Sequence, residues 1–131
     1  MGAWGTKSFD NDDALDWVGD LLDSEGHEFL KKTLELVGHE QYLDACEASQ
    51  AIAAAEVVAA LIGRPSEDLS EELIEWLDSQ KDFDKILVEV SRKALKRVLG
   101  DDSELKDLWE ESDCYEEWRG QIKELEGRLQ D

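Results

Sequence analysis

The sequence predicts an all-α protein. It reads as one compact helical bundle of five to seven helices around a central alanine-rich helix at about residues 44–62, preceded by an ordered non-helical N-terminal segment. Three observations carry this. Apolar residues recur at helical spacing in almost every segment. Hairpin dipeptides between alternating apolar runs, the usual mark of paired strands, do not occur. The 131 residues include a single proline and no Gly/Ser-rich linker, so the chain 1–131 reads as one domain and is too short for two ordinary ones.

The elements follow in order. A first helix is expected from near Asn11 to about Leu22, capped by Asp10 or Asn11. Asp12, Asp13 and Asp16 sit at its positive end, and Ala14, Trp17, Val18, Leu21 and Leu22 form its apolar face. A second begins after Ser24 and stops at Gly38, with Phe29, Leu30, Leu34 and Val37 as its stripe. In the third, Asp44 with Glu47 reads as a cap with a return contact, and Gly63 then Pro65 as the stop. Its alanines (45, 48, 51, 53, 54, 55, 59 and 60) lie on every face, as in a helix with close neighbours on several sides. A short fourth helix follows Ser70, with Leu69 as a staple and Leu73, Trp76 and Leu77 facing in. A fifth starts after Asp82 and ends at Gly100, with Lys93, Lys96 and Arg97 where a helix C-terminus favours cations. The last segment starts at Ser103, where Leu105, Leu108 and Trp109 make one apolar turn. Tyr115, Trp118, Ile122, Leu125 and Leu129 then make a stripe expected to pack within the monomer rather than in a coiled coil.

Charge narrows the function classes. With 14 basic and 34 acidic residues the formal net charge is -20. Such a chain repels nucleic acid and anionic membranes, so any macromolecular partner is expected to be a basic protein. The ends carry most of the excess: 3 basic against 10 acidic residues in 1–43, and 4 against 12 in 101–131. The longest near-apolar run, 51–62, is too short to span a membrane and contains Glu56. Two widely separated cysteines, Cys46 and Cys114, and the lack of a secretory leader pattern fit a cytoplasmic protein with reduced thiols. MGAWGT matches the loose N-myristoylation pattern, but one acyl chain with no basic patch beside it would anchor poorly.

Glu56 is the foremost candidate site residue, because a carboxylate in AAAEVVAAL must be paired, hydrogen-bonded or protonated once buried. Three kinds of partner are open: a cation such as Arg64 or a histidine, an indole N–H, or amides of an apposed glycine-containing segment. The opening MGAWG is such a segment, which places Trp4 and Thr6 beside Glu56, with Trp17 as a further structural or ligand candidate. Glu56 is therefore expected to peg the N-terminus in place, ahead of acting as a general acid or base.

Other chemistry is poorly supported. An EF-hand counted from Asp10 would need Gly at Leu15 and Glu at Leu21. His27 and His39 belong to no zinc spacing, so no metal and no cofactor are expected. Ser8, Ser49, Cys46 and Cys114 lack a nucleophile motif, and no catalytic residue is assigned. The candidate binding surface is the acidic run Asp101, Asp102, Glu104, Asp107, Glu110, Glu111, Asp113, Glu116 and Glu117, suited to docking on a basic protein such as a nuclease.

MGAWGT at 1–6, FDNDDALDW at 9–17, AAAEVVAAL at 53–61, SELxxLW from Ser103 and WxxxIxxLxxRL from Trp118 together resemble a bacterial family known as domain of unknown function 4259. The chain departs from that pattern at Lys7 and Ser8, where the family has a small residue and often proline. The resemblance implies a small cytosolic bacterial protein and supplies no activity. It also implies that the opening block goes together with the Glu-containing helix. The expected function is that of a non-enzymatic interaction protein, monomeric or weakly dimeric, that binds and neutralises a basic protein. The alternative is an enzyme or small-ligand binder using Glu56 near Trp side chains.

Overall fold

Helix α1, Asp12–Leu22, begins where the Asn11 side chain accepts a hydrogen bond from the Ala14 amide at 2.8 Å. This satisfies one of the four amides a helix start leaves without a partner. The computed structural model describes residues 8–24, 26–37, 42–66, 69–80 and 85–130. The N-terminal block 1–7, including Trp4 and Thr6, and with it His39, lies outside them. Six further helices follow: α2 His27–Val37, α3 Ala45–Leu61, α4 Glu71–Asp78, α5 Ile86–Val98, α6 Glu104–Glu110 and α7 Tyr115–Arg128. Among the described residues the fold is all-helical, and no helix is long and apolar enough to cross a membrane.

The expected last segment is two helices. The Ser112 hydroxyl donates to the Trp109 carbonyl at 2.7 Å, and its oxygen accepts from the Cys114 amide at 3.2 Å. A short polar side chain that bonds its own backbone competes with helix continuation, so the chain turns between α6 and α7. Trp109 and Trp118 then stack across the turn with ring centroids 6.0 Å apart. Trp118, Ile122, Leu125 and Leu129 are all buried, so the α7 stripe packs into the body of the protein.

Helix α3 is the axis. Residues 51–59 are all buried, and α1, α2, α5, α6 and α7 all contact it. Alanine makes this arrangement available, because a small side chain on every face lets neighbouring helices approach closely without voids. Its N-terminus is held twice. Asp44 accepts from the Glu47 amide at 2.8 Å, and Glu104 reaches across to accept from the Ala45 amide at 2.8 Å. Beside this, Leu43 and Ser103 form a parallel bridge through bonds of 2.8 Å from the Leu43 amide to Asp102 and from the Glu104 amide to Leu43.

The C-terminus of α3 closes in a Schellman turn. The Gly63 amide donates to Ala60 at 3.0 Å and the Arg64 amide to Ala59 at 2.9 Å. Gly63 has φ +85°, a left-handed conformation that costs any residue with a Cβ about 1–2 kcal/mol. This turn carries Arg64 out of the core and towards the end of α7.

Candidate functional site

Glu56 sits in the enclosed middle of α3, with a side chain 5% exposed. Its Oε2 accepts a hydrogen bond of 2.6 Å from the Ser8 hydroxyl. Its Oε1 lies 2.9 Å from Nη2 of Arg128, at the last turn of α7. That second contact is a charge contact, off the line of a well-aligned hydrogen bond, so Oε1 has no further donor among the described residues.

Arg128 uses all three guanidinium nitrogens. Nη2 faces Glu56, Nε donates to Glu124 at 2.7 Å and Nη1 donates to the Arg64 carbonyl at 3.2 Å. Arg64 returns the contact: its Nη1 donates to the Arg128 carbonyl at 3.0 Å and to the Gln130 carbonyl. The carbonyls at the end of α7, which a helix leaves without intrahelical partners, thereby gain a cationic donor. Four pieces of chain meet here: the turn before α1, the middle of α3, the turn after it and the end of α7. The Asn11 side chain adds a long contact of 3.5 Å to the Ser8 carbonyl, which ties the same turn to the start of α1.

The arrangement is suited to holding segments together. The carboxylate is buried, with a hydroxyl on one oxygen and a guanidinium beside the other, so it faces neighbouring segments of the chain rather than solvent. Burial pushes the Glu56 carboxyl above the ordinary carboxylate range, while the Ser8 hydroxyl and the Arg128 charge pull it back. Because the net direction is upward, the folded chain holds this proton more tightly than the unfolded chain. The stability of the wild type relative to Glu56→Gln is therefore greatest below the ordinary carboxylate pKa. It falls as pH rises through the raised value. Denaturant midpoints of both proteins between pH 4 and 8 should show that decline. A difference that grows with pH would mean that the ion pair outweighs burial.

The other candidates fall elsewhere. Arg64, the cation expected for Glu56, instead engages the end of α7; the cation beside the carboxylate is Arg128, which the sequence does not point to, and the hydroxyl comes from Ser8. Trp17 is buried, donates its indole N–H to the Thr33 hydroxyl at 2.9 Å and stacks on Phe29. Cys46 is exposed at the start of α3, and partial burial followed by the Asp13 carboxylate pushes its thiol up to about 11, which makes it a weak nucleophile at neutral pH. Of the acidic run, Asp101, Asp102, Asp107, Glu110, Glu111, Asp113, Glu116 and Glu117 are exposed, whereas Glu104 is spent on the Ala45 amide. Among the described residues no group of His, Cys, Asp or Glu side chains is placed to hold a metal ion.

The family described as Domain of unknown function (DUF4259) matches residues 2–121 of the chain. No curated protein and no solved structure matches it. The matched span contains Ser8, Glu56 and Arg64 and ends before Glu124 and Arg128.

Proposed function

The chain belongs to the DUF4259 family, and from that premise we propose that it is a cytosolic, non-enzymatic interaction protein whose acidic face binds and neutralises a basic protein partner. The observation that carries the reading is the exposure of eight carboxylates between residues 101 and 117 on one stretch of chain. Lys106, itself largely covered, lies 3.6 Å from Asp101 and 3.7 Å from Glu110, and both carboxylates remain exposed to a partner's cations. Clustered exposed carboxylates raise the rate at which a basic surface is found, and that rate falls with salt. The engagement of Glu56 by Ser8 and Arg128 supports the non-enzymatic side of the reading, since the foremost catalytic candidate is occupied.

The test uses affinity capture from a lysate at about 50 mM and about 500 mM salt, followed by purification of the retained basic protein. It should bind the wild type at low salt. It should lose affinity by about tenfold or more with the five-site variant Glu110→Gln, Glu111→Gln, Asp113→Asn, Glu116→Gln and Glu117→Gln. A partner that binds the variant as tightly as the wild type, or no basic partner at low salt, would sink the reading.

A further inference from the structure

A basic concavity in this acidic protein lies between the turn after α3, the start and outer face of α5, and Gln130 just past α7. It is an open cavity of about 340 Å³. Arg64 lines it from the turn, Lys85 from the N-cap of α5 and Arg92 from the helix itself, with Glu89 between them. Ile62 and Val88 supply its apolar wall. Val88, Glu89 and Arg92 share one face of α5, and Lys85, the N-cap of helical geometry just before it, continues that face at i, i+3, i+4 and i+7 spacing.

Glu89 lines the cavity beside its three cations, but among the described residues none of the three has a carboxylate within 4 Å. Lys31, Lys106, Lys123 and Arg128 each have a carboxylate within 4 Å. Among the described residues Arg64, Lys85 and Arg92 have none, and neither do Lys32, Lys93, Lys96 and Arg119, so what marks the cavity is that three such cations line one concavity. Arg64 is also fixed in place: Nη1 is held by the Arg128 and Gln130 carbonyls, while Nε and Nη2 make no hydrogen bond among the described residues. A guanidinium anchored by one nitrogen with the others unoccupied is preorganised for an incoming anion.

We propose that this cavity binds a small organic polyanion, a phosphate ester or a polycarboxylate with a compact body. Arg64, Lys85 and Arg92 take the anionic groups, and Ile62 and Val88 cover the carbon skeleton. The volume suits it, since ligand cavities begin at about 300 Å³. The net charge of the chain does not defeat binding, because charges beyond a screening length of about 8 Å contribute little at physiological salt. The same net charge repels long polyanions and anionic membranes, which restricts the site to small ligands. Glu89 lowers the affinity for any purely anionic ligand. The inference is independent of the docking of a basic protein at residues 101–117.

The ¹⁵N-labelled full chain is titrated with citrate in one arm and inorganic phosphate in the other. Amide shifts should saturate at residues 62–64 and 85–92, and the arm with the lower Kd assigns polycarboxylate or phosphate chemistry. Lys85→Gln with Arg92→Gln, at exposed positions without ion pairs, should keep the wild-type melting temperature and weaken binding by about tenfold or more. Glu89→Gln should tighten it severalfold. Shifts that grow linearly and spread over the whole surface would overturn the proposal, as would a Kd that Lys85→Gln with Arg92→Gln leaves unchanged.

Discussion

Arg128→Ala is expected to destabilise the protein by about 2–4 kcal/mol near pH 8, the scale of a broken buried ion pair. The substitution removes the charge opposite Glu56 Oε1, the donor to Glu124 and the donor to the Arg64 carbonyl in one step. Of these the first dominates, because Glu56 is 5% exposed and its charge is left without a cation beside it. The Glu124 contact is exposed and contributes a few tenths of a kcal/mol, as i,i+4 pairs do. The melting temperature should drop by about 10 °C for a domain of this size. The deficit should shrink as pH falls, since a protonated Glu56 no longer needs a counter-charge. A loss below about 0.5 kcal/mol at pH 8, the size of an ordinary surface substitution, would show that Arg128 only decorates the end of α7.

Ala54→Leu is expected to cost more than 3 kcal/mol, or to prevent folding. Ala54 is fully buried on a helix that five other helices contact. Overpacking in a core costs about 1–3 kcal/mol where one neighbour can shift. Here a shift away from one neighbour meets another, because residues 51–59 are buried on every side. The exposed substitution Leu15→Ala on α1, by contrast, should change stability by less than about 0.5 kcal/mol. Equal effects from the two substitutions, read from denaturant midpoints, would contradict the central role of α3.

The parts of this fold that were legible in the sequence are those with local causes. The start and stop of α3 follow from Asp44, Gly63 and Pro65, and its central position follows from alanine on every face. Glu56 stood out because a lone carboxylate in an apolar run demands a partner. The identity of that partner was not legible. Arg128 reaches Glu56 through the packing of α7 on α3, and helical periodicity carries no information about which helices meet. Arg64 was named as a cation for Glu56, but the Schellman turn carries it past the carboxylate to the carbonyls that end α7. Ser8 stands out in the sequence as a hydroxyl without a nucleophile motif and as a departure from the family pattern, neither of which points to Glu56, and it supplies the hydroxyl on Oε2. The break between α6 and α7 depends on one side chain, Ser112, bonding its own backbone, a choice that period-based reading passes over. Glu104 belonged to the acidic run by sequence and to the start of α3 by structure, because the Ala45 amide needed an acceptor.

The central claim is that Glu56 is a structural keeper working through Arg128. The most direct test is a double-mutant cycle at pH 8 with Glu56→Gln, Arg128→Met and the double variant, read by denaturant unfolding. The account predicts a coupling of about 1–3 kcal/mol, with the double variant more stable than Arg128→Met alone because no buried charge is left unpaired. Effects that add within about 0.5 kcal/mol would contradict it.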